Sequence, residues 1–143
     1  GLTNSVSAAM AGTTGLTKTG GGVLSLTETN KTYTGGTIIN GGAIQITNAV
    51  GGSLGASNSA PLTLDGGALY TQFAANTTLN YAITVGASGG ELRNLGGDPG
   101  RLTLANNRLN GSGVLTLSFG SSATRIILGG TTNSTQTNFT GKW

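Results

Sequence analysis

The chain has 143 residues, a length suited to one domain, and a formal net charge of +3. Only 8% of its residues are charged, against about 25% in an ordinary soluble domain, and 27 are glycine. Seven bases against four acids are too thin a margin to imply a nucleic-acid binder, which would cluster its Lys and Arg, and the absence of Cys excludes a disulfide framework and thiol chemistry.

Thr, Ser and Asn supply most of the polarity; their side chains compete with helical backbone hydrogen bonds and suit strands better. No window shows a helical stripe of useful length, so the sequence reads as all-β. Its apolar runs fall far short of the ~18 residues that a membrane-spanning helix needs, so no transmembrane segment is expected. The chain opens at Gly1 without an initiator Met or signal peptide, and reads as a processed product or an excised fragment.

Taken in chain order, residues 1–14 form a weakly patterned first coil containing Leu2 and Val6. Residues 15–47 are the most regular stretch: Gly22-Val23-Leu24, a polar bridge, then Ile39, Asn40-Gly41-Gly42 and Ala43-Ile44. Residues 48–109 repeat the scheme as further coils. There Leu62-Thr63-Leu64, Ile83-Thr84-Val85 and Leu102-Thr103-Leu104 alternate apolar and polar residues, which places the aliphatics on one face. Residues 110–143 form a second, expanded repeat cut off in mid-coil, with an extra coil inserted between Phe119 and Thr132.

A period emerges from these elements. Leu24, Ile44, Leu69, Leu92 and Leu115 each lie two positions after a Gly and are separated by 20, 25, 23 and 23 positions. They are expected to stack in one buried column. A second series runs through Ile39, Leu64, Val85 and Leu104, continued by Ile126 or Leu128. Two short strands per coil are thus joined by tight turns at Asn40-Gly41-Gly42, Asp65-Gly66-Gly67 and Ser88-Gly89-Gly90, whose residues tolerate the positive φ of a sharp corner. Asn-Gly between strands also suits an antiparallel hairpin. A hairpin stack, however, has no reason to repeat every 20–25 residues with one face always inward, whereas a solenoid does. The predicted fold is a single parallel β-helix over 1–143, right-handed by the usual crossover rule, with about six coils of roughly 20–25 residues.

The stretch Gly15–Thr47, GLTKTGGGVLSLTETNKTYTGGTIINGGAIQIT, closely resembles the passenger-associated β-strand repeat of bacterial autotransporters. Leu109–Leu117 is similar to the first strand of another copy. Asn138-Phe139-Thr140-Gly141-Lys142 is similar to the Tyr33-Thr34-Gly35-Gly36 corner, with Lys142 in place of the second Gly. The resemblance implies a parallel β-helix exported by Gram-negative bacteria to the cell surface or beyond, associated with the outer membrane. There such repeats act as a stalk and bring no catalytic residues.

Candidate chemistry is sparse. The carboxylates are Glu28, Asp65, Glu91 and Asp98, with no His and no acidic pair close in sequence. A polysaccharide-active enzyme, which needs two opposed carboxyls, is therefore the remote alternative, and no enzymatic role, cofactor or metal is expected. Asp65 has a turn role, and Gly96-Gly97-Asp98-Pro99-Gly100 reads as a turn. Arg93, Arg101 and Arg108 would form an anion-binding patch if stacking brings them together, the plainer reading being a solvated surface. Tyr33 and Phe139 read as corner plugs, and Tyr70 and Phe73 as marks of an exposed edge. Thr residues fall out of register between coils, against an ice-binding ladder. The expected partners are flanking coils of a longer passenger or head-to-tail copies of the chain, with Phe139 and Trp143 at the stacking edge. The alternative is an adhesin recognising a glycan or host surface, and nucleic acid is not expected.

Overall fold

The computed structural model describes residues 1–47, 53–56, 60–96, 101–120, 125–129 and 140–142. Short alternating runs become strands of three to five residues, and no helix occurs among the described residues. In chain order they are β1 (Thr3–Val6), β2 (Leu16–Lys18), β3 (Val23–Leu26), β4 (Thr37–Ile39), β5 (Ala43–Ile46), β6 (Leu62–Leu64) and β7 (Ala68–Thr71). They continue with β8 (Thr77–Leu79), β9 (Ile83–Val85), β10 (Gly90–Asn94), β11 (Arg101–Leu104), β12 (Leu109–Gly111), β13 (Leu115–Phe119) and β14 (Arg125–Leu128).

Every pairing between these strands is parallel. One side stacks β2, β4, β6, β9 and β12; the next stacks β1, β3, β5, β7, β10 and β13; a third stacks β8, β11 and β14. The fold is therefore a parallel β-solenoid. Six strands on the second side make five steps of about 4.8 Å each, or roughly 24 Å of axis.

The third side corrects the expectation of two strands per coil. In the first coils it is drawn in single backbone contacts rather than strands: Met10 bridges Lys31, Thr34 N–H donates to Gly12 O at 3.0 Å, and Ala56 N–H donates to Tyr33 O at 2.9 Å. Leu104 belongs to this side, opposite Leu79 and Leu128, and not to the column of Ile39, Leu64 and Val85. An apolar-Thr-apolar triplet looks the same on any side, so its pattern alone does not say which side it occupies. β14 is likewise the third side of the coil begun by β12, where the sequence suggested an inserted extra coil.

The core is made of columns. Leu24, Ile44, Leu69 and Leu92 stand in register over Asn4 of β1. The next member is Leu117; Leu115 instead lies opposite Gly90. Both leucines lie on the inward side of β13, Leu115 buried and Leu117 half-buried. A second column runs Ile39, Leu64, Val85 and Gly111, and a third runs Leu16, Thr37, Leu62, Ile83 and Leu109. Leu62, Leu64, Leu69 and Leu102 are wholly shielded from solvent, and each such side chain contributes about 1.5–3 kcal/mol by leaving water. Toward the far end the column Leu26–Ile46 turns polar at Thr71 and Asn94. Buried Asn94 is satisfied there: its Nδ2 donates to Arg125 O at 3.1 Å, and its Oδ1 accepts from Gly96 N–H at 3.1 Å.

Candidate functional site

The corners between the first two sides hold the most organised polar chemistry. Positive φ falls on Gly42 (61°), Gly66 (98°) and Gly89 (74°). Asn40, Gly41, Asp65, Gly67 and Gly90 complete these turns with φ outside that region. Gly67 and Gly90 are needed for another reason: an added Cβ would collide with the side chain of Ile39 or Leu64 on the previous rung.

The corners are tied together along the axis. Asp65 Oδ1 accepts from Ser88 N–H at 2.8 Å, and Gly66 N–H donates to Gly89 O at 2.7 Å. Asp65 therefore secures the turn of the following rung. At the first rung Lys18, which occupies the foot of the Ile39 column, reaches three corner carbonyls: Thr19 O at 2.8 Å, Gly20 O at 2.7 Å and Gly41 O at 3.2 Å. The hydrogen bonds from Ser88 hold the Asp65 carboxyl below its ordinary value. A depressed carboxyl contributes stability above its ordinary pKa, and that contribution is lost as pH falls through the folded value. Acid titration should therefore lower the Tm of the parent more than that of Asp65→Asn. Parallel acid profiles for the two proteins would show that the contact contributes nothing.

Two further side chains are more deeply engaged than their residue types suggest. Lys31 is fully buried, its Nζ donating to Asn30 Oδ1 at 2.9 Å and Glu28 O at 3.3 Å. Tyr33 plugs a corner, its hydroxyl 2.6 Å from Thr37 Oγ1, and burial raises its pKa.

The remaining candidates separate. Glu91 accepts from Ser118 Oγ on the next rung, and the described residues contain no group of His, Cys, Asp and Glu able to hold a metal. Arg93 lies over the Tyr70 ring at 5.6 Å on the outer face of the second side. Arg108 precedes β12, its carbonyl accepting from Ile83 N–H at 2.6 Å. Arg101 is on the third side, where its neighbour is Arg125. The three arginines named from sequence thus do not converge, because the chain turns a corner between each of them. Phe73 is buried in the core, contrary to the exposed-edge reading, and Tyr70 is half-buried. Thr63 does stack on Thr84, and Thr78 on Thr103, but the longer column is broken by Ile38.

At the first end of the stack, β1 and β2 each pair on one edge only among the described residues. At the other end Thr140 N–H donates to Gly111 O at 2.9 Å, Leu115 N–H donates to Lys142 O at 2.8 Å, and Lys142 bridges Val114. Residues 140–142 therefore lie on a further rung, at the corner after β12. The Tyr33-Thr34-Gly35-Gly36 corner precedes β4, so the two corners are not equivalent. Phe139, Trp143 and residues 97–100 lie outside the described residues.

Residues 16–46 match the family model of the passenger-associated-transport repeat. Neither a curated protein nor a solved structure matches the chain at significance. The matched segment contains β2 to β5, two successive rungs with the Asn40-Gly41-Gly42 corner, and the same parallel stacking continues on either side of it. Residues 16–46 are thus similar to a passenger-associated-transport repeat and lie within a parallel β-solenoid.

Proposed function

We propose that the chain is a non-catalytic structural module of an exported bacterial surface or extracellular protein, a stalk whose coils continue onto flanking coils or onto further copies. One observation carries this reading. A passenger-type repeat sits in a parallel ladder whose first strands, β1 and β2, keep a free hydrogen-bonding edge among the described residues. Such edges template further strands, and a coil without a neighbour exposes part of its apolar face. Leu2, 84% exposed beside β1, supports it. So does the way residues 140–142 continue onto the far end of the ladder.

Head-to-tail contact of this kind is heterologous, and where the rotation does not close it gives open filaments rather than rings. Light scattering and negative-stain images of the 14.0 kDa chain across concentrations test the proposal. Rods lengthening with concentration are expected, and Thr3→Pro, which removes a backbone donor that points away from β3 at the free edge of β1, should shorten them. A monomer at every concentration, unchanged by that substitution, would contradict end-on stacking.

A further inference from the structure

We infer that the outer face of the third side carries a binding site for an anionic polysaccharide, built on Arg101 and Arg125. The inference goes beyond the structural role and does not depend on end-to-end stacking.

The register of β11 and β14 sets Arg101 directly opposite Arg125. Leu102 and Leu104 of β11 face the core, so the alternating positions face out, and both arginines are exposed. In-register neighbours on parallel strands lie about 4.8 Å apart, and like charges placed opposite one another destabilise a sheet. The chain has only seven basic residues, and two are stacked here. No carboxylate among the described residues lies within ion-pair distance of either. Asp65 is held by Ser88 and Glu91 by Ser118, while Glu28 follows β3 several rungs away.

A bound oxyanion turns this repulsion into attraction. Each guanidinium presents a planar fork of N–H donors that matches sulfate, phosphate or carboxylate. Arg101 also lines a surface depression of about 590 Å³ together with Thr78, Thr103, Asn106, Ala105 and Ile127. The hydroxyls and the amide can exchange hydrogen bonds with sugar hydroxyls, and Ala105 and Ile127 offer contact to an apolar C–H face. Among the described residues no aromatic ring lines the depression, and stacking platforms are what single-stranded nucleic acid requires. The chemistry therefore favours a sugar chain bearing acidic groups.

Calorimetric titration with dextran sulfate at low ionic strength, beside uncharged dextran, tests this. The parent should bind dextran sulfate and not dextran, with affinity falling as NaCl rises. The double variant Arg101→Gln/Arg125→Gln should bind about tenfold more weakly or worse, given what charged hydrogen bonds contribute. Arg93→Gln and Arg108→Gln should bind as the parent does. Removing a like-charge contact should leave the double variant melting at or above the parent temperature, so that lost binding is not lost folding. The single variants Arg101→Gln and Arg125→Gln should fall between parent and double variant. Unchanged binding by the double variant would overturn the site. Equally tight binding of single-stranded DNA would overturn its assignment to polysaccharide.

Discussion

Replacing Leu69 by Ala is expected to cost about 2–5 kcal/mol, the range for deleting a buried leucine side chain. Leu69 is wholly buried and lies between Ile44 and Leu92 in its column. The cavity would sit in mid-stack, where rungs above and below are pinned by their own backbone ladders and cannot collapse into it. Thr63→Ala, on the outer face of β6, is the matched control and should stay within about 0.5 kcal/mol of the parent. Denaturant midpoints of the three proteins read the difference. Equal, small losses at both positions would mean that the side assigned as core is not one.

Gly42→Ala should be comparably harmful for a different reason. At φ 61° an L-residue is strained by about 1–2 kcal/mol. The new Cβ would also press on Gly22 O, on Gly20 O at 2.6 Å and on Lys18 Nζ at 2.7 Å. Overpacking against backbone adds about 1–3 kcal/mol, and the Lys18 clamp on the corner carbonyls would be displaced with it. Gly21→Ala is the control, since nothing lies within 4 Å of its added Cβ and its φ is not positive. A Gly42→Ala protein that melts with the Gly21→Ala protein would show that the corner does not need its glycine.

The period of the coil and the location of its corners were legible in the sequence, because both rest on local chemistry. Glycine doublets after Asn, Asp or Ser mark the turns, and alternation marks the inward face. The assignment of Leu115 failed for a reason built into strand geometry. Residues two apart point the same way, so Leu115-Thr116-Leu117 offers two inward leucines, and a slip of two leaves every face correct. The link from Gly111 to Leu117 is one residue shorter than that from Val85 to Leu92, which no residue type announces. The third side escaped for a related reason. In the first coils it is built from isolated contacts around Met10, Lys31 and Tyr33, which have no alternating pattern to read. The pairing of Arg101 with Arg125 depended in turn on that unseen side.

The central claim is that successive coils stack in parallel and in register, and a cysteine pair tests it most directly. The native chain has no Cys, so Thr63→Cys/Thr84→Cys introduces the only two thiols. The two positions are 21 residues apart in sequence but directly opposite on neighbouring strands β6 and β9, on the outer face. Their separation of about 4.8 Å lies inside the 4.4–6.8 Å span that a disulfide bridges. Mild oxidation at low protein concentration, followed by intact mass and thiol titration, should show one intramolecular bridge and no free thiol. Two thiols that stay reduced, or that bridge only between molecules, would contradict the solenoid.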